Sequence, residues 1–142
     1  MKMEIHHRRG WQFTAKCRSH QVITDQPPEE DGEDTAMTPV ELFIASIGFC
    51  IGVYAKAFCD RHRIRTENMK IDLEWSMAEN PTRVGEIDAK IQLDEDVDPN
   101  LARAIKRVVE HCTVHNTITN TPKITILISG PQALSAESSR KL

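Results

Sequence analysis

Hydrophobic and polar residues alternate along some stretches of this chain and recur with helical spacing along others. Trp11, Phe13, Ala15 and Cys17 alternate with Gln12, Thr14 and Lys16. That period of two predicts an N-terminal strand whose first set of side chains faces the core. Val22 and Ile23 follow, and the acidic, proline-bearing run from Pro27 to Ala36, with Gly32 inside it, reads as a surface loop. Thr38-Pro39-Val40-Glu41 then marks a helix start. Thr38 can cap the first turn, Pro39 suits the first helical position, and Glu41 completes a capping box. The helix is expected to run to about His62 and is apolar on nearly every face in its first half, which places it at the centre of the fold. Gly48 and Gly52 each cost about 1 kcal/mol of helix propensity relative to alanine. Their spacing puts them on one face, where another backbone could approach closely.

Two further alternating stretches come next. Met69, Ile71, Leu73, Trp75 and Met77 interleave with Lys70, Asp72, Glu74 and Ser76, and Ile87, Ala89, Ile91 and Leu93 repeat the pattern. With Glu79-Asn80-Pro81 in the turn, they predict a half-buried antiparallel pair. Asp98-Pro99 opens a second helix, with Leu101, Ile105, Val108 and Cys112 on its buried face and Arg103, Lys106, Arg107 and Glu110 on its wet side. Ile124 to Ile128 reads as a last strand, and the polar residues from Ser135 as a disordered tail. No internal repeat is visible. Strands, helix, two strands, helix and strand make an α+β fold, expected as one domain over residues 1–134 followed by the tail 135–142.

Composition narrows the function classes. The chain has 142 residues, 27% of them charged, and a net charge of −3. Such a balance gives no basic surface for nucleic acid, and 5% aromatic residues supply no stacking platform for single strands. The uncharged run Leu42–Ala55 would span only about 21 Å as a helix, short of the roughly 30 Å of a bilayer core, so no membrane span is expected. No signal peptide is expected either, and the chain reads as cytoplasmic. Its four cysteines then read as free or redox-active thiols rather than structural disulfides.

Cys50 lies mid-helix, about three turns past Thr38 and beyond reach of the helix dipole. Periodicity leaves it open between a packing thiol and a reactive one, and a reactive one needs a neighbouring cation, for which arginine is the natural candidate. Cys112, on its apolar helix face near the C-terminal end, suits a partner thiol better than a primary nucleophile. Cys17 reads as core packing. Cys59 lies about 180° around the helix from Cys50, so the two cannot share a site. Cys59-x-x-His62 and Cys112-x-x-His115 together have zinc-compatible spacing, which keeps a small zinc protein among the alternatives. No phosphate loop or nucleophile elbow is present.

The segment Thr38-Pro-Val-Glu-Leu-Phe-Ile-Ala-Ser-Ile-Gly-Phe-Cys50, with His111-Cys112-Thr-Val-His115 downstream, resembles the OsmC/Ohr family of thiol peroxidases. The order of elements is similar to that family's fold from about residue 1 to residue 130. The resemblance implies an intertwined homodimer, a central helix between antiparallel sheets, and thiol-dependent reduction of organic hydroperoxides with no cofactor and no metal. It implies that Cys50 is the peroxidatic cysteine and Cys112 the resolving one, with electrons drawn from an external dithiol in an antioxidant stress response. Phe43, Ile47, Phe49 and Tyr54 would then line the place of an alkyl substituent.

Two departures separate the chain from the organic-hydroperoxide-resistance branch. The residue after the proline is Val40 and the acid is Glu41, as in the OsmC-like branch. The Gly-Gly-Arg loop that supplies that branch's activating arginine is missing, leaving Arg8-Arg9-Gly10 and Arg18-Ser19-His20 as candidates. Arg18-x-His20 with Asp25-Gln-Pro27 resembles the OsmC-like branch and favours Arg18, with Glu41 as its helper. A non-catalytic protein of the same fold, binding a small molecule or sensing redox state, is the competing reading.

Overall fold

A computed structural model describes residues 1–130. Three short strands, β1 (Glu4–His7), β2 (Phe13–Cys17) and β3 (His20–Thr24), form an antiparallel sheet in the order β1-β2-β3. Arg18 and Ser19 make the turn between β2 and β3, and Arg18 takes the left-handed backbone conformation, φ 55°, that closes it. The expected phase holds at the end of β2, where Ala15 and Cys17 are half-buried beside exposed Lys16, but is reversed at residues 11–14. Gln12 and Thr14 are buried, whereas Trp11 and Phe13 are exposed.

A polar hub explains that reversal. Asp25, 1% exposed, accepts from the Gln12 side chain at 3.2 Å, the Gln26 N–H at 2.9 Å, and the Thr35 N–H and hydroxyl at 3.1 and 2.7 Å. These bonds, led by the Thr35 hydroxyl, hold the Asp25 carboxyl far below the usual carboxylate range. They also tie the acidic segment, with its single 3-10 turn at Pro28–Glu30, to the sheet. The chain is thereby delivered to the start of the long helix.

That helix, α1 (Pro39–His62), begins with the expected capping box. The Glu41 N–H donates to Thr38 Oγ1 at 3.2 Å, and the Thr38 N–H donates to Glu41 Oε2 at 2.7 Å. Ile47, Ile51, Ala55 and Cys59, four residues apart, form a buried stripe that packs with Ile64, Ile105 and Val109. Gly48 and Gly52 face the following strand of the same chain. A Cβ on Gly48 would lie 2.6 Å from Leu73 Cδ1, and one on Gly52 would lie 3.1 Å from Ile71 Cδ1. The glycine face therefore accepts side chains of its own sheet rather than another backbone. By length and composition α1 could cross a membrane, but its apolar stripe is spent on this core.

The strands β4 (Lys70–Ala78) and β5 (Arg83–Gln92) pair antiparallel as a separate two-stranded sheet, with Ile71 opposite Ile91 and Trp75 opposite Ile87. Helix α2 (Pro99–Val109) is capped by Asp98, whose carboxylate accepts from the Asn100 and Leu101 N–H groups. Ile105 and Val109 are its buried residues. The helix stops before Cys112, correcting the placement of that cysteine on its apolar face. Cys112 instead caps a third helix, α3 (Thr113–Thr119).

Among the described residues, the segment from Thr121 to Gly130 pairs with no other, so the expected strand at 124–128 is absent there. The residues have strong strand propensity, but a strand needs a hydrogen-bonding neighbour and this chain offers none there. Ile124, Ile126, Leu127 and Ile128 are consequently 78–97% exposed. The tail 135–142 lies outside the described residues.

Candidate active site

The packing of α1 against the α2–α3 connection brings Cys50 and Cys112 together. Cys50 is half-buried and Cys112 wholly buried, both as free thiols and close enough to interact directly. The Val114 N–H, in the first turn of α3, donates to Cys50 Sγ at 3.5 Å. The His115 N–H donates to Cys112 Sγ at 3.4 Å, the capping bond that starts α3. Two consecutive backbone donors thus face the two sulfurs, and such bonds strengthen when the acceptor carries charge.

The environment of Cys112 resists that charge. Burial pushes its thiol above the ordinary value, and the neighbouring Cys50 pushes in the same direction. The His115 and Val114 N–H groups offset this in part. Cys112 is therefore held as a neutral thiol beside a more exposed one.

The other two expected site residues lie elsewhere. Glu41 has its carboxylate in the capping box, where it accepts from the Thr38 N–H at the start of α1. Arg18 sits exposed on the β2–β3 turn. Among the described residues neither makes a hydrogen bond or ion pair with Cys50. Arg9, the other candidate, pairs with Glu33 at 2.8 Å.

Cys59 is wholly buried in the core, and burial, with Asp60 adding, raises its thiol too. The His62 ring bonds the Phe58 carbonyl. Among the described residues no group of three or more His, Cys, Asp or Glu side chains is arranged to hold a metal ion.

A cavity of about 570 Å³ lies between α1, β5 and the α2–α3 region, lined by Phe43, Ile47, Ile51, Val109, His115 and Ile118 with Glu86, Asp88 and Lys106 at its polar side; neither Cys50 nor Cys112 is part of its lining. Phe43 and Ile47 were expected at such a lining. Phe49 is not there, being 72% exposed on the outer face of α1. Tyr54 is not there either; its hydroxyl lies 3.2 Å from Thr113 Oγ1. That bond and the Val114 donor escaped the sequence, since a backbone N–H has no residue signature and Tyr54 reads there as one more apolar position.

An α+β chain with a capped central helix, two small antiparallel sheets and adjacent thiols from α1 and the start of α3 defines a class of thiol-bearing folds. The family model for OsmC-like proteins matches residues 32–127, and the chain belongs to that family. Its fold is similar to that of a Psychrobacter arcticus protein described as a putative osmotic stress induced and detoxification response protein, at TM-score 0.77 and 18% identity over 82% of this chain and 87% of that one. An OsmC-like protein from Mycoplasma pneumoniae gives TM-score 0.71 and 16% identity, covering 90% of this chain and 94% of its own. An organic hydroperoxide resistance protein, OsmC, from Legionella pneumophila gives TM-score 0.63 and 21% identity over 82% and 87%. No curated protein matches the sequence.

Proposed function

We propose that this protein reduces organic hydroperoxides through Cys50 and Cys112. The observation that carries the reading is the juxtaposition of two free thiols in different settings, one half-buried and one buried with its ionisation suppressed. The name of the Legionella relative and the family membership support the substrate class.

In this reading the Cys50 thiolate attacks the O–O bond and takes one oxygen. The peroxide's remaining alkoxide leaves with a proton as alcohol, and Cys50 becomes a sulfenic acid. The Cys112 sulfur then displaces the sulfenic oxygen, which leaves as water, and a Cys50–Cys112 disulfide forms. An external dithiol returns the pair to two thiols, supplying two electrons and two protons. The apolar part of the cavity, lined by Phe43, Ile47 and Ile51 from the helix that carries Cys50, suits an alkyl substituent better than hydrogen peroxide.

Arg18 is the proposed activating cation and Glu41 its helper. Arg18 is exposed and forms no ion pair among the described residues, so its guanidinium is not committed elsewhere. The chain is further proposed to act as a homodimer in the cytoplasm, as one domain over residues 1–134. Exposed Phe49 and Val53 on α1, together with the unpaired apolar segment 124–128, support the dimer.

The competing reading is a binding or redox-sensing protein without turnover, favoured by the lack, among the described residues, of an arginine bond to Cys50. A peroxidase assay with cumene hydroperoxide and a dithiol donor separates the two. Turnover in wild type, lost in Cys50→Ser and at least tenfold slower in Cys112→Ser, is the expected result. A Cys50→Ser variant as active as wild type removes the peroxidase assignment.

A further inference from the structure

Three consecutive residues at the start of α3 each reach α1. Cys112 brings its thiol to Cys50, Thr113 brings its hydroxyl to within 3.2 Å of the Tyr54 hydroxyl, and Val114 donates its N–H to Cys50 Sγ at 3.5 Å. On α1, Tyr54 lies four residues after Cys50, one turn further along the same face. Its ring packs against the central core, as does Val114, so its hydroxyl is presented from a fixed body. By contrast α3 is only seven residues long and contains no buried residue. A helix that short has little stability of its own, and its placement depends on the contact of Val114 with the core and on the bonds its first turn makes to α1.

We propose that Tyr54 is a positioning residue: its hydroxyl bond to Thr113 holds the first turn of α3 against α1 and so sets the approach of the Cys112 thiol to Cys50. The role concerns closure of the Cys50–Cys112 disulfide, not the first attack on peroxide, because the bond involves the element that carries Cys112. It rests on the reading of Cys50 and Cys112 as a redox pair.

The test is an equilibrium that needs no peroxide. Protein dithiol and oxidised glutathione exchange to give protein disulfide and two molecules of reduced glutathione, so atoms and electrons balance within the pair of couples. The equilibrium constant reports how well the native fold presents one thiol to the other. It is measured in glutathione buffers by acid quench and mass spectrometry on wild type, Tyr54→Phe, Thr113→Val and Thr113→Ser. Tyr54→Phe keeps the ring and Thr113→Val the shape, and each is expected to lower the constant roughly three- to tenfold, the range that loss of one hydrogen bond commands. Thr113→Ser retains a hydroxyl and is expected within twofold of wild type. The double variant is expected to be no worse than either single one, since both remove the same bond.

A second readout separates this role from general support of the fold. After brief peroxide exposure, dimedone capture at Cys50 should rise in Tyr54→Phe, because the sulfenic acid outlives its wild-type counterpart. Equal equilibrium constants in wild type and Tyr54→Phe overturn the proposal, as does a wild-type chain that forms no Cys50–Cys112 disulfide at all. A lowered constant in Tyr54→Phe alongside absent peroxidase turnover in wild type sustains the positioning role and overturns only the assigned substrate.

Discussion

Two cysteines of this chain, Cys59 and Cys112, are fully buried, and in both the thiol is held neutral chiefly by burial. Their folded-state ionisation lies above that of the unfolded chain, so unfolding releases protons at alkaline pH. The contribution to stability is therefore fully present below the ordinary thiol range of about 8.5 and declines as pH rises beyond it. Urea midpoints should be level from pH 7 to 8 and fall towards pH 10, and Cys59→Ala should flatten that fall while lowering stability throughout. A midpoint that climbs above pH 9 would contradict the burial of these thiols. In the proposed mechanism the same burial divides labour within the pair: Cys112 would stay a neutral thiol until Cys50, more exposed and facing the Val114 N–H, has been oxidised.

At the scale of elements, α1 is the part that positions Cys50, and its start is fixed by side chains within four residues of one another. Thr38→Ala removes the hydroxyl that accepts the Glu41 N–H and should cost about 1 kcal/mol of folding stability, measured by urea denaturation. Because the capping box is local, Thr38, Pro39 and Glu41 announce it in the sequence, and Asp98-Pro99 does the same for α2. The alternation of β4 and β5 is legible where one face meets α1 and the core, at Ile71, Leu73, Ile87 and Ile91, but Trp75 and Met77 on the same expected face are exposed. What the sequence hides depends on partners far along the chain. Gln12 is buried because its side chain finds Asp25 and Thr35, thirteen and twenty-three residues away, whereas alternation alone assigns the covered face to Trp11 and Phe13. Helix α3 is hidden because cysteine is not among the usual capping residues, so Cys112 reads as the last apolar position of α2. Juxtaposition of the two thiols was legible only through resemblance, and Tyr54's bond to Thr113 not at all.

At the scale of the molecule, one chain leaves apolar surface uncovered. Phe49 and Val53 project from α1, and Ile124, Ile126, Leu127 and Ile128 have strand-forming side chains and no strand to pair with. In the proposed homodimer this surface is covered by the second copy. Light scattering at micromolar concentration should give twice the mass of one chain. Ile126→Asp combined with Ile128→Asp should shift the protein to monomer, or leave it insoluble. A wild-type monomer would show that this surface has another occupant.

The central claim is that Cys50 and Cys112 act as one redox pair, and disulfide mapping after a single equivalent of organic hydroperoxide tests it most directly. Fully reduced protein is mixed with one equivalent of cumene hydroperoxide, its remaining thiols are alkylated, and the digest is read by mass spectrometry. The account predicts loss of two thiols per chain, a peptide pair joined through Cys50 and Cys112 of the same chain, and intact alkylated Cys17 and Cys59. Oxidation spread over Cys17 or Cys59, or a Cys50 sulfenic acid that persists with Cys112 still alkylated, would contradict it.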